Sequence, residues 1–333
     1  SPCDMGAYKS SREIHNKLTR CVKDSQISLL TIDYDIQDDL PSETDVFVLE
    51  PASKHMLVEL LNRTNPSFDS TVIDKIASLS DGNSRIALAL VQAFRKSKDF
   101  GTLLDEEVFE RLFWQKKDKS GDLYETARAC SLVYSFNSSD SRFAGSEIQL
   151  LANLAGQTYD KFHRNLDEIR RRSLLQNRGP WSALLPQALA NRITSNALTS
   201  YSEKKIFEIF VDSQADRLQS SFCHRLSFLH NNQFAKNISN KLLSPQGELG
   251  RKGLQLTEGD RKKIYHLLSI DFDNSLKYFE KLVNLIKGTP IKDVSEENVN
   301  WMIRSLLVLA CFPENFEKSL GLIESLQLIK GLP

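Results

Sequence analysis

Residues 173–186 read SLLQNRGPWSALLP, and this stretch decides how the middle of the chain is understood. Two short runs, one with Leu174 and Leu175 and one from Trp181 to Leu185, flank the turn Arg178-Gly179-Pro180. Gly and Pro together interrupt regular structure, so the pattern predicts two short strands around a turn. The three segments just before it are helical. LYETARACSLVYSF (123–136), GSEIQLLANLAG (145–156) and TYDKFHRNLDEIRRR (158–172) keep helical periodicity, with Ser146 as an N-cap and Gly156 as a stop.

Three helices followed by a hairpin is the plan of a winged helix, and it fills residues 117–200 together with a last helix at about 186–197. On its N-terminal side the charged segment KKDKSGD (116–122) reads as a linker. Residues 51–116 then read as a four-helix unit: a helix opening at the N-cap Ser53, SFDSTVIDKIASLS (67–80), a third helix at roughly 84–96 after the break Asp81-Gly82-Asn83, and LLDEEVFERLFWQK (about 103–116). Residues 1–50 hold an amphipathic helix (11–24) and two short strands, ISLLTIDYDI (27–36) and DVFVLEP (45–51), the tail of an α/β unit. Residues 201–333 are nearly all helical. FDNSLKYFEKLV (272–283) resembles NFEKSLGLIESL (315–326), and QFAKNISNKLL (233–243) suggests an earlier copy, as in a helical solenoid. The fold class is therefore mainly α, with an α/β remnant, a helical unit, a winged helix and helical repeats.

Composition bounds the function. Of 333 residues, 41% are apolar, and Lys+Arg and Asp+Glu are both 43, so the formal net charge is zero. That excludes a whole-protein basic footprint for nucleic acid. Cys3, Cys21, Cys130, Cys223 and Cys311 are scattered and contain no C-x-x-C, which fits reduced thiols of a cytoplasmic protein rather than a disulfide frame or a zinc site. No apolar run approaches the ~18–20 residues of a membrane span, so no membrane partner is expected. No signal peptide is visible, and the opening SPCDMGAYKSS reads as part of something longer. His163, His224, His230 and His266 lack metal-ligand spacing and read as packing or surface residues. Trp181 and Trp301 read as core.

The order of these parts resembles the signal-transducing NTPases of the AAA+-like STAND class, and within it the antiviral STAND proteins of bacteria. The stretches that carry the resemblance are SLLTIDYDI, FVLEPASKHMLVELL, IASLSDGNSRIALALV and RGPWSALLPQALANRI, and it spans roughly residues 10–330. The resemblance implies ATP or ADP with Mg²⁺ held jointly by several domains. No G-x-x-x-x-G-K-[ST] loop occurs in the chain, so this chain alone is not expected to be catalytic, and the P-loop half would lie N-terminal to it. Asp33, at the end of its strand, matches the sensor 1 position; a Walker B role and a plain solvated carboxylate stay open beside it.

Arg85 follows the Gly82 turn, where the resemblance places an arginine near the γ-phosphate, with surface charge as the alternative. Guanidinium suits that role through its permanent charge and forked donors. Relatives often have Gly-x-Pro at this turn, whereas here Ser84 stands in the proline position. Gln187 stands where the family often has a histidine on the β-phosphate. The resemblance further implies a trigger protein at the helical repeats and a homo-oligomer on activation. Two other readings remain open: a winged-helix transcription regulator using Arg170, Arg171, Arg172 and Arg178 on DNA, and a non-catalytic helical scaffold.

Overall fold

A computed structural model describes residues 51–95 and 121–330, apart from 66, 81, 140–142, 144, 173, 186, 214 and 291–293. The expectations for residues 1–50, Asp33 among them, and for a helix at 103–116 lie outside the described residues. Within them the protein is mainly helical, with fourteen α-helices and one small sheet.

The first three helices form one cluster. Helix α1 (Lys54–Thr64) starts at Ser53, whose Oγ accepts from Met56 N, and it buries Leu57 and Leu61. Helix α2 (Ser70–Leu79) is capped by the Asp69 carboxylate and buries Ile73, Ile76 and Ala77. Helix α3 (Ser84–Arg95) buries Ile86, Ala87, Leu90 and Val91, at the i, i+1, i+4, i+5 positions of one face. Each of the three packs on the other two.

Residues 121–200 build a second cluster around a sheet. The order is α4 (Asp122–Ser131), β1 (Phe136–Asn137), α5 (Glu147–Leu154), α6 (Tyr159–Arg171), β2 (Leu175–Arg178), β3 (Trp181–Leu184) and α7 (Gln187–Ser200). The strands are antiparallel in the order β1-β3-β2, with Phe136 opposite Ser182 and Leu175 opposite Leu184. The core holds Leu123, Phe136, Leu151, Phe162, Ile169 and Leu184, all essentially inaccessible to water. One buried polar side chain is satisfied across it. Gln157 donates through Nε2 to Asp122 O (2.7 Å), and its Oε1 accepts from Thr126 Oγ1 (2.9 Å) and Asn165 Nδ2 (3.1 Å), tying α4 to α6.

The remaining helices are α8 (Glu203–Phe210), α9 (Asp216–Leu226), α10 (Gln233–Leu243), α11 (Glu258–Leu267), α12 (Phe272–Lys287), α13 (Glu296–Ala310) and α14 (Phe316–Lys330). Helices two apart in sequence lie side by side: α9 on α11, α10 on α12, and α12 on α14. Arg261 of α11 reaches Asn298 Oδ1 (2.8 Å) and Glu297 Oε1 (2.6 Å) of α13. The two similar stretches 272–283 and 315–326 thus fall on helices in direct contact. After α10 the chain folds back over that helix's last turn. A Cβ on Gly250 would sit 1.9 Å from Ser244 O, so only glycine fits that approach.

Helix α9 joins the second cluster to these helices. Arg217, Ser221 and Arg225 recur every four residues and form one stripe. Arg217 makes a two-pronged ion pair with Glu147 of α5, donates to Ser135 O (3.1 Å), and places its guanidinium 4.5 Å from the Trp181 ring centroid. Ser221 Oγ donates to Ser135 O (2.6 Å) and lies 2.9 Å from Ser135 N, while Tyr134 N donates to Ser221 O (3.0 Å). Glu147 also accepts from Asn137 N (2.6 Å), so one carboxylate fixes both β1 and α9.

Removing one partner of such a part-buried pair leaves the other desolvated. Arg217→Ala is expected to cost about 2 kcal/mol in urea unfolding of the whole chain. Arg171→Ala, on an arginine whose side chain is 74% exposed, should stay within about 0.5 kcal/mol.

Candidate functional site

The Gly82 corner is built by local chemistry. Gly82 has φ 77°, in the left-handed region that glycine enters without a Cβ penalty. Asn83 then caps α3: its Oδ1 accepts from Arg85 N (3.0 Å) and Ile86 N (3.2 Å), and its own carbonyl accepts from Ala87 N (3.1 Å). Ser84 and Arg85 are exposed in the first turn, on the face opposite Ile86, Leu90 and Val91. A cation there works against the helix dipole, so local helix stability does not explain Arg85.

Gln187 stands at the first position of α7, and the structure gives it a partner that the sequence did not suggest. Its Oε1 accepts from Arg225 Nη1 (2.7 Å), and Asn191 Oδ1, one turn on, accepts from the same nitrogen (2.6 Å). Arg225 Nη2 reaches Val133 O (3.4 Å), and its guanidinium lies over the Tyr134 ring. The side chain is wholly buried and its Nε has no partner. Among the described residues no carboxylate pairs with it. Burial pulls the guanidinium down to about 10, with Tyr134 opposing, so it keeps its charge at neutral pH. The amide oxygen of Gln187 is thereby committed, and its Nε2 remains as the donor.

The arginines of α6 are paired on their own helix: Arg170 with Asp167, and Arg171 and Arg172 with Glu168 (2.9 Å each). These i, i+3 and i, i+4 pairs cancel much of the positive charge that the sequence displays. On the hairpin, Trp181 of β3 lies beneath Arg217 of α9.

His224 of α9 and His266 of α11 stack at 4.3 Å, and Tyr134 stacks on the other face of His224 at 3.9 Å. Burial, then the neighbours His266, Arg225 and Lys262, pull His224 down to about 2. Burial and Lys262 pull His266 down to about 4. Both rings are neutral at ordinary pH and serve packing. His230 is exposed, and His163 lies 3.6 Å from Asp167. Cys130 and Cys223 are wholly buried; burial drives both thiols up, Cys223 to about 12, so neither is a nucleophile at neutral pH. Among the described residues no three His, Cys, Asp or Glu side chains could hold a metal ion, and no helix is long and apolar enough to cross a membrane.

The chemistry legible here is coupling between parts rather than bond breaking. Arg217, Ser221 and Arg225 are the residues that sequence reading missed; their four-residue spacing was the signal available. No protein-family model, no curated protein and no solved structure matches the chain.

The histidine pair gives a test. In the unfolded chain each ring takes a proton near pH 6.5; in the fold they do so near 4 and 2. Stability is therefore full above about 6.5 and falls as pH drops toward 4, by up to roughly 2–3 kcal/mol for His266. His266→Phe should flatten that slope in urea unfolding series between pH 6.5 and 4. Asp260, held below its usual 3.8 by Lys252 and Thr257 despite burial, begins to add its own loss at about pH 5 and adds most of it below about 4.

Proposed function

We propose that the chain is the regulatory portion of an ATP-dependent STAND-type switch, in which a helical lid and a winged helix close over nucleotide and a helical-repeat region senses a protein trigger. The supporting architecture is the helix–strand–helix–helix–strand–strand order of residues 122–184 with sheet order β1-β3-β2, which is the winged-helix order. The side-by-side packing of α9 to α14 supports a repeat region.

The observation that carries the reading is the α9 stripe. A trigger at the repeats acts on a distant nucleotide only through an element with stiff contacts to both sides. Arg217, Ser221 and Arg225 supply those contacts, and Arg225 ends on Gln187, the residue at the position expected to face the β-phosphate. Trigger binding would then shift the balance between a closed, ADP-like arrangement and an open one that self-associates.

The residues present fit a nucleotide in part. ATP or ADP with Mg²⁺ would bring the phosphates and their charge, and the cradle itself would come from a P-loop domain. Arg85 is exposed, always charged and placed at a helix start. Gln187 has the two N–H donors of its Nε2 to offer. The DNA-regulator reading is weakened by the paired arginines of α6, although Arg178 at the hairpin tip stays exposed.

The test is Arg85→Ala in the protein that carries the P-loop domain. ATP turnover or triggered assembly should fall at least about tenfold, while Arg63→Ala, at an exposed pair on α1, leaves both unchanged. Unaltered turnover and assembly in Arg85→Ala would remove the phosphate role. Salt-dependent binding of a DNA duplex, lost on Arg170→Ala/Arg171→Ala/Arg172→Ala, would instead favour the transcription regulator.

A further inference from the structure

Among the described residues six aromatic side chains are strongly exposed, and five of them stand at three corners of the helical region. Phe228 and Phe234 flank the α9–α10 corner. Tyr265 lies at the α11–α12 corner. Phe312 and Phe316 make the α13–α14 corner. These five are 38–49% accessible, too much for core residues.

The corners are contiguous. Ser269 Oγ donates to Ser227 O (3.3 Å), joining the first to the second, and the rings of Phe272 and Phe312 stand 4.0 Å apart, joining the second to the third. Neighbouring corners thus carry exposed aromatic side chains, an aromatic ridge. Scattered single apolar residues are ordinary on a surface, but a connected line of them marks a contact site.

Charge selects the partner. Exposed Asp273, Glu314 and Glu317 each stand within two residues of Phe272, Phe312 or Phe316 in sequence, and none forms an ion pair among the described residues. The nearest cation in sequence, Lys318, does not neutralise them: it is also without an ion pair there. Their place in first helical turns makes leaving them unpaired inexpensive. Carboxylates beside phenylalanine faces favour arginine or lysine, which can pair with the first and lie over the second.

We propose that this ridge, centred on the α13–α14 corner, docks a cationic segment of another protein that carries apolar side chains between its arginines or lysines. The apolar groups cover Phe312 and Phe316, and the cations meet Glu314, Glu317 and Asp273. The proposal does not depend on the nucleotide reading, because the docking needs no nucleotide.

A random twelve-residue peptide display library, selected on the immobilised whole chain without nucleotide, tests it. Enriched peptides should be net positive with interspersed apolar residues. A synthetic copy of the leading peptide should lose at least about tenfold in affinity on Phe312→Ala/Phe316→Ala and on Glu314→Lys/Glu317→Lys. These positions are exposed, so both variants should keep the parent melting temperature, which is measured alongside. Raising salt should weaken the parent and not the Lys variant. The idea is overturned by enrichment of acidic peptides, by no enrichment, or by affinities that stay within twofold in both variants. It is equally overturned if the double Phe variant abolishes self-association in sedimentation instead, since the occupant is then a second copy. Loss of ATP response in Arg85→Ala would leave this peptide binding intact, so the two readings fail separately.

Discussion

A charged guanidinium buried without a carboxylate is the constraint on which the arrangement of residues 121–330 turns. Arg225 meets only neutral acceptors, Gln187, Asn191 and Val133, and the face of Tyr134. Burying a charge is costly unless its donors are occupied. The position is tenable because every acceptor is fixed by another element: Gln187 and Asn191 by α7, Val133 and Tyr134 by the segment leading into β1. If any of these moves, the cation loses a partner that water cannot replace while the site stays closed. Arg225 therefore makes the relative position of α7, α9 and the β1 approach nearly all-or-none.

The same helix holds the hairpin at Trp181, while the arginines of α6 are held by carboxylates of α6 itself. Arg217 lies over Trp181 and pairs with Glu147, so β3 faces α9. Asp167 and Glu168 hold the arginines of α6. Sequence alone counts these arginines as free charge. The structure shows each one held by a carboxylate three or four residues earlier, a pairing latent in DEIRRR but outweighed there by the run of three cations.

Much of the local structure was legible. Ser53 and Ser146 as caps, Gly82 as a corner and the Gly179-Pro180 turn follow from rules that act over four residues, and they stand where those rules put them. The similarity between 272–283 and 315–326 was legible as well, because adjacent helices bury matching positions. What could not be read is the set of contacts separated by dozens of residues. Gln187 was singled out by its position in the resemblance alone, and its Arg225 partner, 38 residues on, was not visible there. Ser221, which no local pattern marks, closes the backbone of Ser135. Polar side chains on a mixed helix face are read as solvated by default, and α9 shows where that default fails. The Arg85 corner was legible in shape.

The α9 stripe also bears on how such a chain can be divided. A boundary near residue 200 looks natural, since a helix ends there and another begins. Yet Arg217, Ser221 and Arg225 lie beyond that boundary and complete the polar groups before it. The two regions are therefore not interchangeable modules: exchanging the helices after residue 200 for another set, by recombination or by engineering, would have to carry a matching arginine–serine–arginine helix across the junction. Substitutions in α9 are thus constrained by residues 121–200 as well as by the helices after it.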